Sequence, residues 1–183
     1  MDIQDARKRE IEERVMKLFQ DVGYNYTKQK TIDIIHIVKQ LGFKVGSVLL
    51  EKDEDGFVIV QEGRNSILGI KTDKLIGVNA NRELKWKRFI IAHELGHYVL
   101  HYDKTKHARI FAQREHVKGK GPIENEADFF AANILMPRDS FIVEYEKLEK
   151  DKLSTTQKIK ELSDVFTVTD LMVSRRIEEL SLR

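Results

Sequence analysis

Cysteine is absent from the 183-residue sequence. Its absence excludes a disulfide framework, a metal site with thiolate ligands and a catalytic thiol. Any bound metal ion would therefore need ligands from histidine, aspartate or glutamate. Proline is scarce as well, and the two that occur, Pro122 and Pro137, lie where helical patterns begin or end.

Long hydrophobic runs are also missing. The N-terminal segment MDIQDARKREIEERVMKLF is charged and periodic and lacks the apolar core of a signal peptide, and no later run is long enough to span a membrane. We therefore expect a cytoplasmic protein without a membrane partner. The 32 Lys and Arg residues nearly balance the 30 Asp and Glu residues, giving a net charge of +2. Such a balance gives no general attraction for nucleic acid or anionic lipid.

Hydrophobic periodicity predicts a mostly helical α+β fold with a small antiparallel sheet. Helical spacing appears in ARKREIEERVMKLFQDVGY and in TIDIIHIVKQLG, where Thr31 is the expected N-cap and Gly42 the stop. Four short segments rich in Val and Ile predict an antiparallel meander: FKVGSVLL, GFVIVQE, SILGI and LIGVN. From Glu83 onward the pattern is helical again to the C-terminus, with interruptions around residues 104–122, at Met136 and Pro137, and near Asp151. The length suits one compact domain with a helical appendage.

The segment IIAHELGHYVLH, residues 90–101, carries the main chemical motif. On a helix, His93 and His97 are one turn apart and project from the same face, so two imidazole nitrogens can reach one ion. In the pattern His-Glu-x-x-His the histidines bind zinc, and the glutamate, here Glu94, takes a proton from the water that zinc activates. The alternative is a buried helix that merely contains two histidines. Burying these polar groups without a partner such as a metal would be costly, which favours the metal site.

A catalytic zinc usually has three protein ligands, so a third is expected elsewhere in the chain. The segment GPIENEADFFAANILMP predicts a helix with acidic residues near its start. Glu124 and Asp128 are four residues apart and share a face, which favours Glu124 as the ligand and Asp128 as the acceptor that orients a ligand histidine. Glu126 points elsewhere and is the alternative ligand. All three residues would also be favourable at a helix N-terminus without any metal.

Together the two segments resemble the ImmA/IrrE family of zinc metallopeptidases, a gluzincin-like group once catalogued as a domain of unknown function. The resemblance rests on AHELGH, on the pattern E-x-x-A-[DN]-x-F-A that begins at Glu124, and on the closing LMP. It extends upstream through IVKQLGFKV and GVNANRELKWKRFIIAHELGH, and we expect it to reach the N-terminal helix. The resemblance implies a zincin-like core in which His93, His97 and Glu124 hold Zn²⁺. It also implies peptide-bond hydrolysis with Glu94 as the general base.

The resemblance further implies a regulatory protease whose protein substrate is a helix-turn-helix transcriptional repressor. Cleavage would relieve repression of stress-response genes or induce a phage or integrative element. Nothing in composition or spacing indicates this substrate. We expect residues 1–150 to form the metallopeptidase domain and residues 151–183 a C-terminal helical segment. Two other classes compete: a regulator that binds a repressor without cutting it, and a DNA-binding sensor that uses its C-terminal helices and in which zinc is structural.

The region between the two motif helices is long and basic. Residues 102–121 contain six basic and two acidic residues, an excess of four positive charges. The region is either an ordinary solvated loop or a surface that steers an acidic substrate segment. It also holds some of the candidates for the group that stabilises the tetrahedral intermediate, among which sequence does not choose. These candidates are Tyr98, His101, Tyr102, His107 and His116.

The tail STTQKIKELSDVFTVTDLMVSRRIEELSLR predicts two helices joined around FTVT, a layout similar to a helix-turn-helix. Thr169 or Thr167 is the expected cap of the second helix. DNA contact would require Arg175 and Arg176 to reach phosphates or bases. The rest of the tail is near neutral, which favours packing on the catalytic domain or docking of a protein partner over DNA contact.

Overall fold

Helices and one mixed sheet account for the described part of the chain. The computed structural model describes residues 3–61, 66–103, 111–116 (as backbone) and 121–182. The helices are α1 Asp5–Asp21, α2 Ile34–Gln40, α3 Leu84–His101, α4 Pro122–Leu135, α5 Arg138–Lys150, α6 Thr155–Phe166 and α7 Asp170–Glu179, with a short 3-10 helix at Tyr26–Lys28. The strands are β1 Lys44–Val48, β2 Glu54–Val60, β3 Lys74–Asn79 and β4 Phe111–His116. The predicted α+β class, mostly helical, is confirmed.

The sheet is mixed, whereas the sequence predicted an antiparallel one. Its strand order is β1-β3-β2-β4. Strand β2 pairs antiparallel with β3 and with β4, but β1 runs parallel to β3. Most residues of β2 and β3 are buried, whereas no residue of β1 is. The two most apolar strands therefore take the centre, which separates β1 from β2 and removes the predicted meander.

Two assignments from the sequence are wrong, one of a strand and one of a loop. The segment SILGI forms a tight turn, in which Ile67 and Ile70 make an isolated bridge. Leu68 and Gly69 between them both have positive φ, which is typical of a two-residue hairpin turn. Strand β4 lies in the region predicted as a loop. Its polar sequence FAQREH suits an edge strand, where alternating apolar residues are not required.

Helix α2 begins two residues later than the predicted cap implies. The side chain of Asp33 is the N-cap and accepts a hydrogen bond from the backbone N–H of His36 at 2.9 Å. The Thr31 hydroxyl, predicted as the cap, instead donates to the carbonyl of Val165 at 2.8 Å. Gly42 follows the helix with φ of 85°, so the predicted stop is confirmed.

Helix α3 runs through the core and is enclosed on several sides. Every residue from 89 to 97 is buried. The helix packs against β2 and β3 and, most extensively, against α4. Gly96 is at the close approach of the two helices, because a Cβ placed there would lie 3.2 Å from the Cα of Ala127 and 3.1 Å from Cδ1 of Phe130. Although α3 is apolar, no described helix has both the length and the hydrophobicity needed to cross a membrane.

The C-terminal helices share the core with the rest of the chain. Leu162, Phe166 and Val173 belong to the same buried cluster as the apolar residues of α3 and α4. Thr169, one of the two predicted caps of this helix, is the N-cap of α7, and its side chain accepts from the backbone N–H of Met172. Thr167, the other, has left-handed backbone angles and ends α6. The division into domains at residue 150 stays a prediction.

Arg176 is a buried anchor between α7 and α4. Its guanidinium donates to Oδ1 of Asn133 at 2.8 Å and to the carbonyl of Met136 at 3.0 Å, and it pairs with Glu179. The residue is fully buried, whereas its neighbour Arg175 is exposed. Arg176 is therefore not available to contact DNA, because its guanidinium is buried and bound to groups within the protein.

Replacing Arg176 tests this anchor. Arg176→Met keeps much of the stem but leaves buried acceptors without their donor, so we expect the free energy of unfolding to fall by about 2–4 kcal/mol. Arg175→Met is the matched control and should change it by less than about 0.5 kcal/mol. Urea unfolding followed by circular dichroism measures both. Equal effects for the two arginines would contradict the anchor.

Gly96→Ala tests the close approach of α3 and α4. Alanine favours a helix over glycine by about 1 kcal/mol. Here the added Cβ would meet the backbone of α4, so we expect a net loss of about 1–3 kcal/mol in the free energy of unfolding. Gly46→Ala in β1 is the control, because a Cβ there makes only ordinary contacts, the nearest at 3.8 Å. A Gly96→Ala protein as stable as the wild type would show that the helices can move apart at no cost.

Candidate metal centre

Three side chains from two helices converge where α3 meets α4. His93 and His97 project from α3 and are fully buried, and Glu124 comes from the first turn of α4. The two Nε2 atoms are 3.0 Å apart, and Oε2 of Glu124 lies 3.1 Å from Nε2 of His93 and 3.3 Å from Nε2 of His97. Within the described residues, these three form the one group of at least three His, Asp or Glu side chains placed to hold a metal ion.

The triangle has the size that a zinc site requires. Zinc bonds of about 2.0–2.1 Å in a tetrahedral arrangement place neighbouring ligand atoms roughly 3.3 Å apart. The three edges, 3.0 to 3.3 Å, are close to that separation. Two imidazole nitrogens and one carboxylate oxygen are also a typical ligand set for a catalytic zinc, and they leave a fourth position open. The residues therefore fit a zinc ion in both number and geometry.

The protonation states of these residues suit metal binding. Burial alone would raise the pKa of Glu124, but its hydrogen bonds with His93 and His97 outweigh burial and hold the pKa well below the usual range. Burial also lowers the pKa of His97. A metal ion requires an ionised carboxylate and neutral imidazoles, and both shifts favour those forms.

The outer nitrogen of each histidine has its own partner. Nδ1 of His93 lies 3.0 Å from Oδ1 of Asp128, and Nδ1 of His97 lies 3.2 Å from Nδ1 of His101. A carboxylate at Nδ1 keeps the hydrogen on that nitrogen and leaves the lone pair of Nε2 for the ion. Asp128 thus makes the contact that its predicted orienting role requires, and the role itself stays a prediction. The contact of His101 was not predicted, although its spacing of four residues from His97 was a visible signal.

Glu126, the alternative ligand from the sequence, lies outside the triangle. Its Oε2 accepts from Arg7 of α1 at 2.6 Å and is 3.1 Å from Nε2 of His101. The hydrogen bond from Arg7 is the main reason why the pKa of Glu126 is lowered. The geometry therefore groups Glu124, rather than Glu126, with His93 and His97.

Glu94 lies on the side of α3 that faces the sheet. Its side chain is fully buried. A Cβ placed on Gly56 of β2 would come 3.3 Å from Oε1 of Glu94, so the glycine makes room for the carboxylate. Glu94 is thus next to the triangle along the helix but is not one of its three members. Its role as the general base stays a prediction.

The group that would stabilise the tetrahedral intermediate stays unassigned. Tyr98 accepts from Nζ of Lys74 at 3.0 Å, and its ring packs against Phe43 and Tyr102. The side chains of His107 and His116 lie outside the described residues. So does most of the basic region at residues 104–120, of which the structure describes the backbone of residues 111–116.

A comparison with protein families identifies the group to which this architecture belongs. Residues 39–178 match the family model described as the IrrE N-terminal-like domain. The chain belongs to the ImmA/IrrE family of metallopeptidases. Membership confirms both the resemblance read from the motifs and the predicted enzyme class. A comparison with curated proteins finds no significant match. The ImmA/IrrE match begins in α2, so α1 lies outside it.

Metal content tests the triangle directly. We expect near-stoichiometric zinc in the wild-type protein purified without an affinity tag, and strong depletion in His93→Ala, His97→Ala and Glu124→Ala, because each removes a ligand. His36→Ala is the matched control, since His36 is exposed on α2. Elemental analysis after zinc supplementation and desalting gives the readout. A folded wild-type protein that stays free of metal would contradict the site.

Proposed function

We propose that the protein is a zinc-dependent endopeptidase that cuts one peptide bond in a helix-turn-helix transcriptional repressor. The catalytic part is carried by one observation, the triangle of His93, His97 and Glu124 with edges of 3.0 to 3.3 Å. Membership of a metallopeptidase family supports it. The repressor as substrate is supported by the resemblance to the ImmA/IrrE group, and so is a role in a stress response or in induction of a mobile element.

The proposed chemistry divides the work among five residues. His93, His97 and Glu124 hold the ion. A zinc ion bound there would polarise the scissile carbonyl and lower the pKa of a water molecule. Glu94 accepts a proton from the attacking water and then passes it to the leaving amine. Asp128 keeps the hydrogen of His93 on Nδ1 and thereby fixes the direction of Nε2.

The position of Arg176 in α7 weakens the DNA-binding alternative. It needed Arg175 and Arg176 on one accessible helix face, but the guanidinium of Arg176 is buried against α4. An electrostatic patch with a single accessible arginine is a weak basis for DNA affinity, which depends on several phosphate contacts. The remaining alternative is a regulator that binds the repressor without cutting it.

Glu94→Gln separates the peptidase from the non-catalytic regulator. The variant keeps the three proposed ligands, so we expect wild-type zinc content and a loss of about 10²–10⁴-fold in the rate of hydrolysis. Glu13→Gln, an exposed position on α1, is the matched control. Mass spectrometry identifies new protein N-termini in cells that produce the wild type, Glu94→Gln or Glu13→Gln. Cleavage of the purified target by each purified protein then tests whether the effect is direct.

We expect a new N-terminus within a helix-turn-helix repressor in cells with the wild type and the Glu13→Gln control, but not with Glu94→Gln. Derepression that persists in Glu94→Gln, without any cleaved repressor, would favour the non-catalytic regulator. Cleavage of a protein of another class would leave the peptidase in place and overturn the repressor as substrate.

A further inference from the structure

We propose that Arg7, Glu126 and His101 form a hydrogen-bonded chain that positions His97 for metal binding. Helix α1, which lies outside the family match, would then be a working part of the metal centre. This inference rests on the proposed zinc site. None of the three residues touches the ion or the reacting atoms, so they are positioning residues rather than catalytic ones.

The chain crosses three helices without a break. Arg7 in α1 donates to Oε2 of Glu126 in α4 at 2.6 Å, and the same oxygen lies 3.1 Å from Nε2 of His101 in α3. Nδ1 of His101 is 3.2 Å from Nδ1 of His97. The opposite nitrogen of His97, Nε2, is a corner of the ligand triangle. A contact in α1 is thus connected to a proposed ligand through consecutive hydrogen bonds.

The chemistry of the members fixes the direction of each hydrogen bond. A guanidinium can only donate and a carboxylate can only accept. His101 must therefore donate from Nε2 to Glu126, and as a neutral ring it has an acceptor left at Nδ1. His97 then donates from its own Nδ1, which leaves the lone pair of Nε2 for the metal. The chain thus selects the tautomer of His97 that can bind zinc.

The simpler interpretation is that Arg7 and Glu126 only dock α1 onto α4. Helix α1 has other means of docking, however. Ile11 and Val15 are buried in the main core, and Arg14 donates to the carbonyl of Val99 at 3.0 Å. Docking and positioning are therefore separable, since removing Arg7 leaves these other contacts in place. The two interpretations differ in what they predict for His97.

Zinc affinity is the first test. We expect Arg7→Met and His101→Phe to bind zinc about 10–100-fold more weakly than the wild type, the usual effect of removing an outer partner of a ligand. Competition with a chromophoric zinc chelator gives the dissociation constants. His101→Phe keeps an aromatic ring next to His97 but removes both nitrogens. Arg9→Met, an exposed arginine on the same helix, is the matched control and should bind as the wild type does.

The tautomer of His97 is the second test, and a purely structural role would not move it. Without a metal ion, the carboxylate of Glu124, 3.3 Å from Nε2 of His97, favours a hydrogen on Nε2, so the test compares two proteins rather than reading one tautomer. Imidazole nitrogen NMR shifts should show a larger fraction of His97 with its hydrogen on Nδ1 in the metal-free wild type than in metal-free His101→Phe. The difference is attributed to the lost contact with His101 once thermal unfolding confirms that the variant is folded. Arg7→Lys, which retains a donor of the same charge, should recover part of the zinc affinity lost in Arg7→Met.

The outcomes separate this inference from the function on which it rests. A wild-type protein that binds no zinc would overturn the proposed function, and this inference with it. A wild type that binds zinc, with unchanged affinity in Arg7→Met and His101→Phe, would overturn only the positioning chain. An equal fraction of the Nδ1–H tautomer of His97 in the metal-free wild type and in a folded, metal-free His101→Phe protein would also overturn the chain.

Discussion

The close approach of α3 and α4 is the constraint on which the rest of the structure depends. Two of the three proposed ligands come from α3 and the third from α4, so the ligand triangle exists only if the helices nearly touch. The absence of a side chain at Gly96 allows this, because its α-carbon faces the backbone of Ala127. Small residues at a helix contact shorten the distance between axes, and here that shortening brings Glu124 to both histidines.

The same approach sets an electrostatic problem, since it buries His93 and His97 in an apolar helix. Buried polar groups are costly unless each donor and acceptor is used. The outer nitrogens have partners that offset this cost: Asp128 of α4 for His93, and His101 at the end of α3 itself for His97. His101 in turn contacts Glu126 of α4. The metal site is therefore better understood as a network of several helices than as one motif on one helix.

The sequence predicted what depends on local spacing and failed where contacts are distant along the chain. The His-Glu-x-x-His helix, the stop at Gly42 and the facing positions of Glu124 and Asp128 follow from helical periodicity alone. Strand order does not, because the apolar pattern of a strand says that it is buried but not which neighbour it pairs with. The link from Arg7 to Glu126 spans 119 residues, and no periodicity connects them. Thr31 illustrates the same limit. Local rules predicted that its hydroxyl caps a helix, but the hydroxyl donates to the carbonyl of Val165, which is distant along the chain.

Helix α3 is held at both ends by basic residues that reach distant segments. Near its N-terminal end, Arg88 donates to the carbonyls of Thr167 and Ile32, which ties the metal helix to the turn between α6 and α7. Near its C-terminal end, Arg14 of α1 donates to the carbonyl of Val99. Arg7, also of α1, donates to Glu126, the residue that contacts His101. A helix fixed at one end could still slide or rotate by a fraction of a turn, and a ligand triangle tolerates little of either. The N-terminal helix and the C-terminal pair thus act on opposite ends of the same element, and the geometry of the metal centre is set by segments that supply none of its three proposed ligands.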